Sequence, residues 1–490
     1  MFPMPDSPPS PHSTSHRDFC NHAGLAAAGV TLTGCSFGQQ PPRNLLLIYV
    51  DDLNTSLGCY GHPLAKTPNI DALAARGVRF ANAFTPYPLC GPARAAALTG
   101  CSPERLRMPI NEVRWRDHFP RLVTLPQLFR ANGVKTVRYG KIFHESVPGT
   151  PESDLAKWDD ADSWDEAVSP FGLEYTTPGE ETLLSGTAGK GTAIHGIVDP
   201  GDGAEQRDHV VVDLALKKLR TTPVDERIFL AVGLVRPHVP FVAPRRFWDL
   251  YPLENIPEPD LRRGEGVPGA AYFRHGAPQG ALSPEEGRKA IQGYLASTSY
   301  MDAQVGRLLE GLKESGRAAS TTVVFLADHG WHLGEHDMWR KMTLFEPSLR
   351  VPMIFAGSGV NGRGETHGVA ETLDLYRTLA ELFGFQCSTR VEGASLLPRL
   401  TDPALDTNRA AHAWVHLPKA EPGRSIRLGN LRYTEWGETG EKKTQLYDLE
   451  NDPGEYHNLS GNPTFAREET RLRDRLRDRR DSLSRQIRES

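Results

Sequence analysis

Hydrophobic residues in this chain gather in short unbroken runs rather than in strict alternation. Asn44 to Val50 (NLLLIYV) is the first such run, and it fits a strand buried on both faces of a parallel sheet. Comparable runs follow at Ile228–Leu234, Thr322–Ala327 and Val351–Ala356. Helix-like periodicity appears at Ile70–Arg76, at Leu125–Asn132 and over the long stretch Pro284 to Leu312. Thr124 is placed to cap the second of these and Gly133 to end it. Strands alternating with helices over this length predict an α/β fold with a largely parallel sheet covered on both faces.

Beyond about residue 385 the texture changes. Ala411–Val415, Ser425–Leu428 and Leu431–Trp436 are short, contain aromatics and are separated by turns. They predict a small antiparallel sheet, followed at Thr464–Glu489 by a charged helix with a solvated face. The expected division is an unfolded N-terminal segment at 1–42, a main domain at 43–385 and a C-terminal α+β subdomain at 386–490.

The first 18 residues are rich in Pro, Ser and His and look unfolded. A small apolar run, Ala23 to Val30, then leads to Leu32-Thr33-Gly34-Cys35. It is too short to span a bilayer but has the length of a signal-peptide core. Leu-Thr-Gly-Cys resembles the bacterial lipobox, and the run before it resembles a twin-arginine signal with His16 in place of the first Arg. The expectation is export to the periplasm or cell envelope, with Cys35 either acylated or lost by simple cleavage. No other run is long enough to cross a membrane.

Composition narrows the partners. The 490 residues carry a net charge of −5, with 24% charged and 39% hydrophobic residues, so nothing points to nucleic acid or to a polybasic membrane surface. A polyanionic substrate would need a local positive pocket. The 6 cysteines form no CxxC pair and no zinc-finger spacing. Cys59, Cys101 and Cys387 read as small buried side chains.

Candidate chemistry sits at the strand ends. Asp51-Asp52 follows the first apolar run, and Asp328-His329 follows TTVVFLA. Adjacent carboxylates repel and are costly to desolvate, and a divalent cation resolves both problems. Parallel strands bring such ends to one sheet edge, and carboxylate oxygens suit a hard ion such as calcium. His329 suits it less well and has a second reading, as a hydrogen-bond partner of the nucleophile or substrate.

Cys90-Gly91-Pro92-Ala93-Arg94, continued by Leu98-Thr99-Gly100, resembles the segment in which sulfatases convert a cysteine to formylglycine (3-oxoalanine). Ala93 stands where that family usually has Ser. The segment opens a helix, whose N-terminus favours an anion. The resemblance implies an alkaline-phosphatase-like fold, one bound Ca²⁺ and a formylglycine made from Cys90 by a maturation enzyme. Asp51, Asp52, Cys90, Asp328 and His329 would surround the ion. One hydroxyl of the hydrated aldehyde attacks sulfur, and the second then collapses to release sulfate.

Further segments extend the resemblance. Gly140-Lys141-Ile142-Phe143-His144 carries one residue more between Lys and His than most sulfatases, as in the iduronate 2-sulfatase-like branch. Lys141 would bind the nucleophile and sulfate, and His144 would take the proton that triggers collapse. Arg236-Pro237-His238-Val239-Pro240-Phe241 is similar to a segment of the same branch, with Arg236 for Lys, and would set His238 by the leaving oxygen. Lys341 would meet a sulfate oxygen, and Arg94 completes the catalytic set. His332 and His336 have the i, i+4 spacing of a zinc pair, but the glycines around them favour a loop lining the pocket. Leu446-Tyr447-Asp448-Leu449 and Asp452-Pro453-Gly454-Glu455 look like the usual sulfatase C-terminal stretch.

The function expected is hydrolysis of a sulfuric ester on a sulfated saccharide, with 2-O-sulfated uronic acid suggested by the branch. Two alternatives stay open: a phosphonate monoester or phosphodiester hydrolase of the same superfamily, and a non-catalytic sulfoglycan-binding lipoprotein.

Overall fold

The computed structural model describes residues 42–144, 158–173, 176–185, 194–272, 282–388, 390–405, 407–416, 421–440 and 443–489. The segment expected to be an export signal, with Cys35, lies outside the described residues. Gln40–Ser490 form one compact unit.

Its main sheet has eight strands: β1 Asn44–Val50, β2 Gly77–Phe80, β3 Lys135–Gly140, β4 Glu166–Val168, β5 Ile228–Leu234, β6 Thr321–Ala327, β7 Met353–Gly357 and β8 Gly364–Thr366. Their order is β8-β2-β7-β6-β1-β5-β3-β4. The strands from β6 through β4 in that order pair in parallel, and only β7 runs against its neighbours. All seven residues of β1 are buried, as are those of β5 and β6. Double burial explains why these strands read as continuous apolar runs.

Among the described residues six helices cover the sheet: α1 Pro68–Ala75, α2 Cys90–Thr99, α3 Leu125–Ala131, α4 Arg207–Thr221, α5 Pro284–Glu314 and α6 Asp374–Leu382. α1, α4 and α5 pack together as one layer, and α2, α3 and α6 as another. Local sequence sets several boundaries. Thr124 with Gln127 and Ser283 with Glu286 form capping boxes that start α3 and α5. α1 lacks a side-chain cap of its own. Asp302 of α5 supplies it, its carboxylate accepting from the backbone N–H of Ile70 at 2.8 Å and Asn69 at 3.2 Å.

The predicted strand at Val351–Ala356 is broken. Arg350–Val351 pairs with Ala83–Phe84 in a separate small sheet, and β7 begins only at Met353. Pro352 lies between them and has no N–H to carry a ladder through. Beyond the main sheet, β9 Ala410–Val415, β10 Gly423–Leu428, β11 Leu431–Trp436 and β12 Lys443–Asp448 form an antiparallel meander. The helix α7, Ala466–Glu489, packs on β10 and β11. It buries Leu472 and Leu476 against Ile426, Tyr433 and Leu446. Cys101 is buried as expected, but Cys59 and Cys387 are only half-buried, because both sit in short connecting segments at the rim of the core.

Candidate active site

Asp51 and Asp52 follow β1 directly, and Asp328 and His329 follow its parallel neighbour β6. The in-register pairing of Val50 with Ala327 therefore sets the two acidic pairs side by side. Asp52 has φ 59°, a left-handed turn that ends the strand. Its N–H donates to Asp328 Oδ1 at 3.1 Å, and Tyr294 Oη donates to its carbonyl at 2.9 Å.

Cys90 enters as the first residue of α2 and is 2% exposed. Its Sγ lies 3.3 Å from His329 Nε2, 3.1 Å from Lys341 Nζ and 4.0 Å from Asp52 Oδ1. Burial and Asp51 oppose ionisation of this thiol, but Lys141, Lys341 and His329 outweigh them and lower it below its ordinary value. Gly91 is confined by space: an added Cβ would meet Asn111 Oδ1 at 2.9 Å. Its N–H is already taken by that oxygen at 2.9 Å. That donor of the helix N-terminus is thus not available to an anion.

Arg94 is wholly buried beneath the site. It donates to Asp328 Oδ2 at 2.8 Å, to Asp51 Oδ1 at 3.4 Å and to the Lys141 carbonyl at 2.5 Å, with its guanidinium 4.4 Å from the Tyr49 ring centroid. Such saturation makes it a clamp across three strand ends rather than a group aimed at a ligand. Lys141 Nζ donates to Asp51 Oδ2 at 2.6 Å, and Lys341 Nζ to Asp52 Oδ1 at 2.5 Å. Despite burial, Lys141, His238 and Arg94 hold the Asp51 carboxyl well below the usual carboxylate range. For Asp52, burial wins and pushes the carboxyl up.

His238 lies at the rim, its Nε2 3.7 Å from Asp52 Oδ2 and its Nδ1 2.7 Å from the Val239 carbonyl. Arg236 and the helix α4 fix this segment. Arg236 Nη1 donates to the His238 carbonyl at 2.7 Å and to the Pro240 carbonyl. Asp208 accepts from the N–H groups of Val235 at 2.8 Å and Arg236 at 2.9 Å. Both X–Pro bonds in the segment are cis.

His144 stands apart from this contact set. It is buried, with its ionisation held well below the ordinary value by burial and then by Lys141. Among the described residues no hydrogen bond joins it to Cys90. It lines a separate small cavity with Gly91, Arg114 and Trp158. His332 and His336 are not on a helix: Gly334 and His336 have φ of 117° and 61°. His332 Nε2 pairs with Thr343 Oγ1 at 2.8 Å, and His336 stacks on Phe345 at 4.0 Å. Both belong to packing under the Lys341 loop.

Ligand atoms of Asp51, Asp52, Cys90 and His329 all lie within 4.8 Å of one another. Asp52 Oδ2 is buried with no hydrogen-bond partner, a cost that a hard cation would remove. The group fits. Asp328 stands next to this group without joining it: its Oδ2 lies 3.7 Å from His329 Nε2, and Arg94 and the N–H groups of Asp52 and His329 already engage its oxygens.

Sequence reading did not single out Asp208, Asn111, Tyr49 or Tyr294. Tyr49, inside an otherwise aliphatic run, carried a local signal; the others act only through the fold.

Known proteins share this arrangement of chain. The sulfatase family model matches residues 43–385, and the model for the N-sulphoglucosamine sulphohydrolase C-terminal region matches 334–482. Iduronate 2-sulfatase of Homo sapiens is 34% identical, over 86% of this chain and 76% of that protein. A solved 2-O GAG sulfatase superposes with a TM-score of 0.70 at 22% identity, covering 92% of this chain and 94% of the other. The phosphonate monoester hydrolase of Agrobacterium radiobacter gives 0.73 at 20% identity, with 91% and 96% covered. These two likenesses establish the fold, and the expected alkaline-phosphatase-like sheet with its smaller antiparallel partner is borne out. With the family model spanning most of the chain and the human relative matching along it, this protein belongs to the sulfatase family and is an enzyme that hydrolyses sulfate esters.

Proposed function

We propose that the chain is a calcium-dependent, formylglycine-using sulfatase that removes 2-O-sulfate from a uronic acid in a glycosaminoglycan-like saccharide. The observation that carries the chemistry is the convergence of Asp51, Asp52 and His329 on Cys90, with Lys141 and Lys341 alongside. The saccharide and its position are supported by likeness to iduronate 2-sulfatase and to the 2-O GAG sulfatase.

Asp51, Asp52, His329 and the group made from Cys90 would hold the ion, with Asp328 beside them, and the ion would supply Lewis-acid activation and charge at the nucleophile. Conversion of Cys90 would put an oxygen nucleophile where Sγ now sits. Lys341, donating at that point and to Asp52, is placed to meet a sulfate oxygen, and Lys141 keeps Asp51 ionised. His238 stands beside the departing alcohol as a neutral ring, since burial pushes it down to about 4 against the pull of Asp52 and its Nδ1 lies on the Val239 carbonyl. Arg94 holds the strand ends that carry the carboxylates.

Peptide mass spectrometry of enzyme made with a maturation partner tests the nucleophile: the Cys90 peptide should carry an aldehyde, and Cys90→Ala should be inactive. Full activity in that variant would overturn the mechanism. Turnover of a panel of sulfated disaccharides beside aryl phosphonates and phosphodiesters tests the substrate. Preference for the phosphorus esters would favour the alternative that the fold shares with the Agrobacterium enzyme. The same reading takes the enzyme to a bacterial cell envelope through residues 1–42, and recovery of an unprocessed cytoplasmic chain would end that part.

A further inference from the structure

A second cavity, of about 520 Å³, lies away from the catalytic cluster, and its size is that of a small-ligand site. Thr99 and Cys101 line it at the C-terminal end of α2. Cys90 opens the same ten-residue helix, so about 14 Å of helix axis separate the two places.

The lining is charged with one sign. Arg105, Arg121 and Arg390 contribute to it, and among the described residues no Asp or Glu does, in a chain whose net charge is −5. Arg105 is partly neutralised by Glu392 at 3.6 Å and donates to the Arg390 carbonyl at 2.6 Å. Arg121 and Arg390 are exposed, and among the described residues no carboxylate pairs with either. Phe119 adds an aromatic surface next to them. Guanidinium forks beside an apolar ring suit a ligand with planar or tetrahedral anions on a partly apolar frame, which describes a sulfated or carboxylated sugar.

One segment runs from this cavity to the small one beside Gly91, next in the chain to Cys90. Arg114, Trp115 and Arg116 line the small cavity that also contains Gly91 and His144, and residues 118–123 line the basic one. The chain from 114 to 123 thus follows α2 from its catalytic end to its far end.

We propose that the basic cavity is a remote anion subsite, taking a sulfate- or carboxylate-bearing residue of a longer glycan whose reacting residue sits at Cys90. The inference rests on the saccharide reading above. It makes the enzyme selective for chain length through a place that the reaction does not touch.

The test compares wild type with Arg121→Ser/Arg390→Ser on an aryl sulfate, a 2-O-sulfated uronate disaccharide and a heparin-derived octasaccharide. KM for the octasaccharide should rise about fivefold, the scale of two exposed ion contacts, and lose part of its salt dependence. Aryl sulfate and disaccharide kinetics should stay unchanged. An unaltered octasaccharide KM overturns the subsite while leaving the function intact. An equal rise for all three substrates also overturns it, since that marks a general structural effect. Failure of wild type to cleave either saccharide while it cleaves aryl sulfate overturns the saccharide reading and the subsite together.

Discussion

Lys341 Nζ lies 3.1 Å from Cys90 Sγ and 2.5 Å from Asp52 Oδ1. One ammonium group therefore bridges the start of a helix and the end of a strand, from a loop 251 residues beyond the cysteine. The Lys341 loop is held from below by the Thr343–His332 hydrogen bond and by Phe345 stacked on His336. The lysine is thus fixed before any ligand arrives, which is the condition under which a buried donor contributes most to a transition state.

Replacing Lys341 by Met should lower kcat/KM for an aryl sulfate by about 100-fold or more, the usual cost of losing one such donor. Circular dichroism should show the fold retained. A loss below about tenfold would take Lys341 out of the chemistry.

Calcium should stabilise the enzyme as well as activate it. At an ion concentration a hundredfold above Kd, the expected gain is about 3 kcal/mol, read as a rise in Tm after chelator-treated enzyme is resupplied. Asp52→Asn should abolish the rise, because it removes the charge on the unpartnered oxygen. An undiminished calcium shift in that variant would move the ion elsewhere.

Asp208 holds the segment that carries His238 through two backbone N–H groups. Asp208→Ala should leave both unsatisfied and cost about 1–3 kcal/mol of stability. It should also lower kcat by roughly tenfold through a displaced His238. Asp208→Asn, which keeps an acceptor, should recover part of both. Unchanged kcat in the alanine variant would show that His238 does not depend on this anchor.

Glu455, from the C-terminal stretch, is fully buried, and burial, with the nearby Glu346, pushes its carboxyl up to about 8 against the pull of Arg432. Between its ordinary value of 4.5 and about 8, the folded chain keeps a proton that the unfolded chain has released. The group therefore makes stability fall as pH rises through that window. Urea midpoints of Glu455→Gln should decline less between pH 5 and 8 than those of wild type. Parallel declines would show that Glu455 is ionised throughout.

Much of the site was legible because each part is local. An apolar run ending in two carboxylates marks a buried strand end, and the chain writes that twice, at Asp51-Asp52 and Asp328-His329. The pentapeptide beginning at Cys90 is equally local, as are the capping boxes at Thr124 and Ser283. What ran less well was any role that depends on distance in space. His144, placed by resemblance beside the nucleophile, faces the cavity behind Gly91. Arg94, read as part of the catalytic set, is spent on protein oxygens.

Sequence alone determined the parallel order of chemistry-bearing strand ends, since double burial forces continuous hydrophobicity and leaves polar residues only where strands stop. It also determined the helix starts that their own side chains cap. Only the tertiary structure decided that Asp302 caps α1, that Asp208 anchors the His238 segment, and that Lys341 reaches Cys90. Each of those joins groups far apart along the chain, and such pairings depend on how layers pack rather than on the periodicity of any one element.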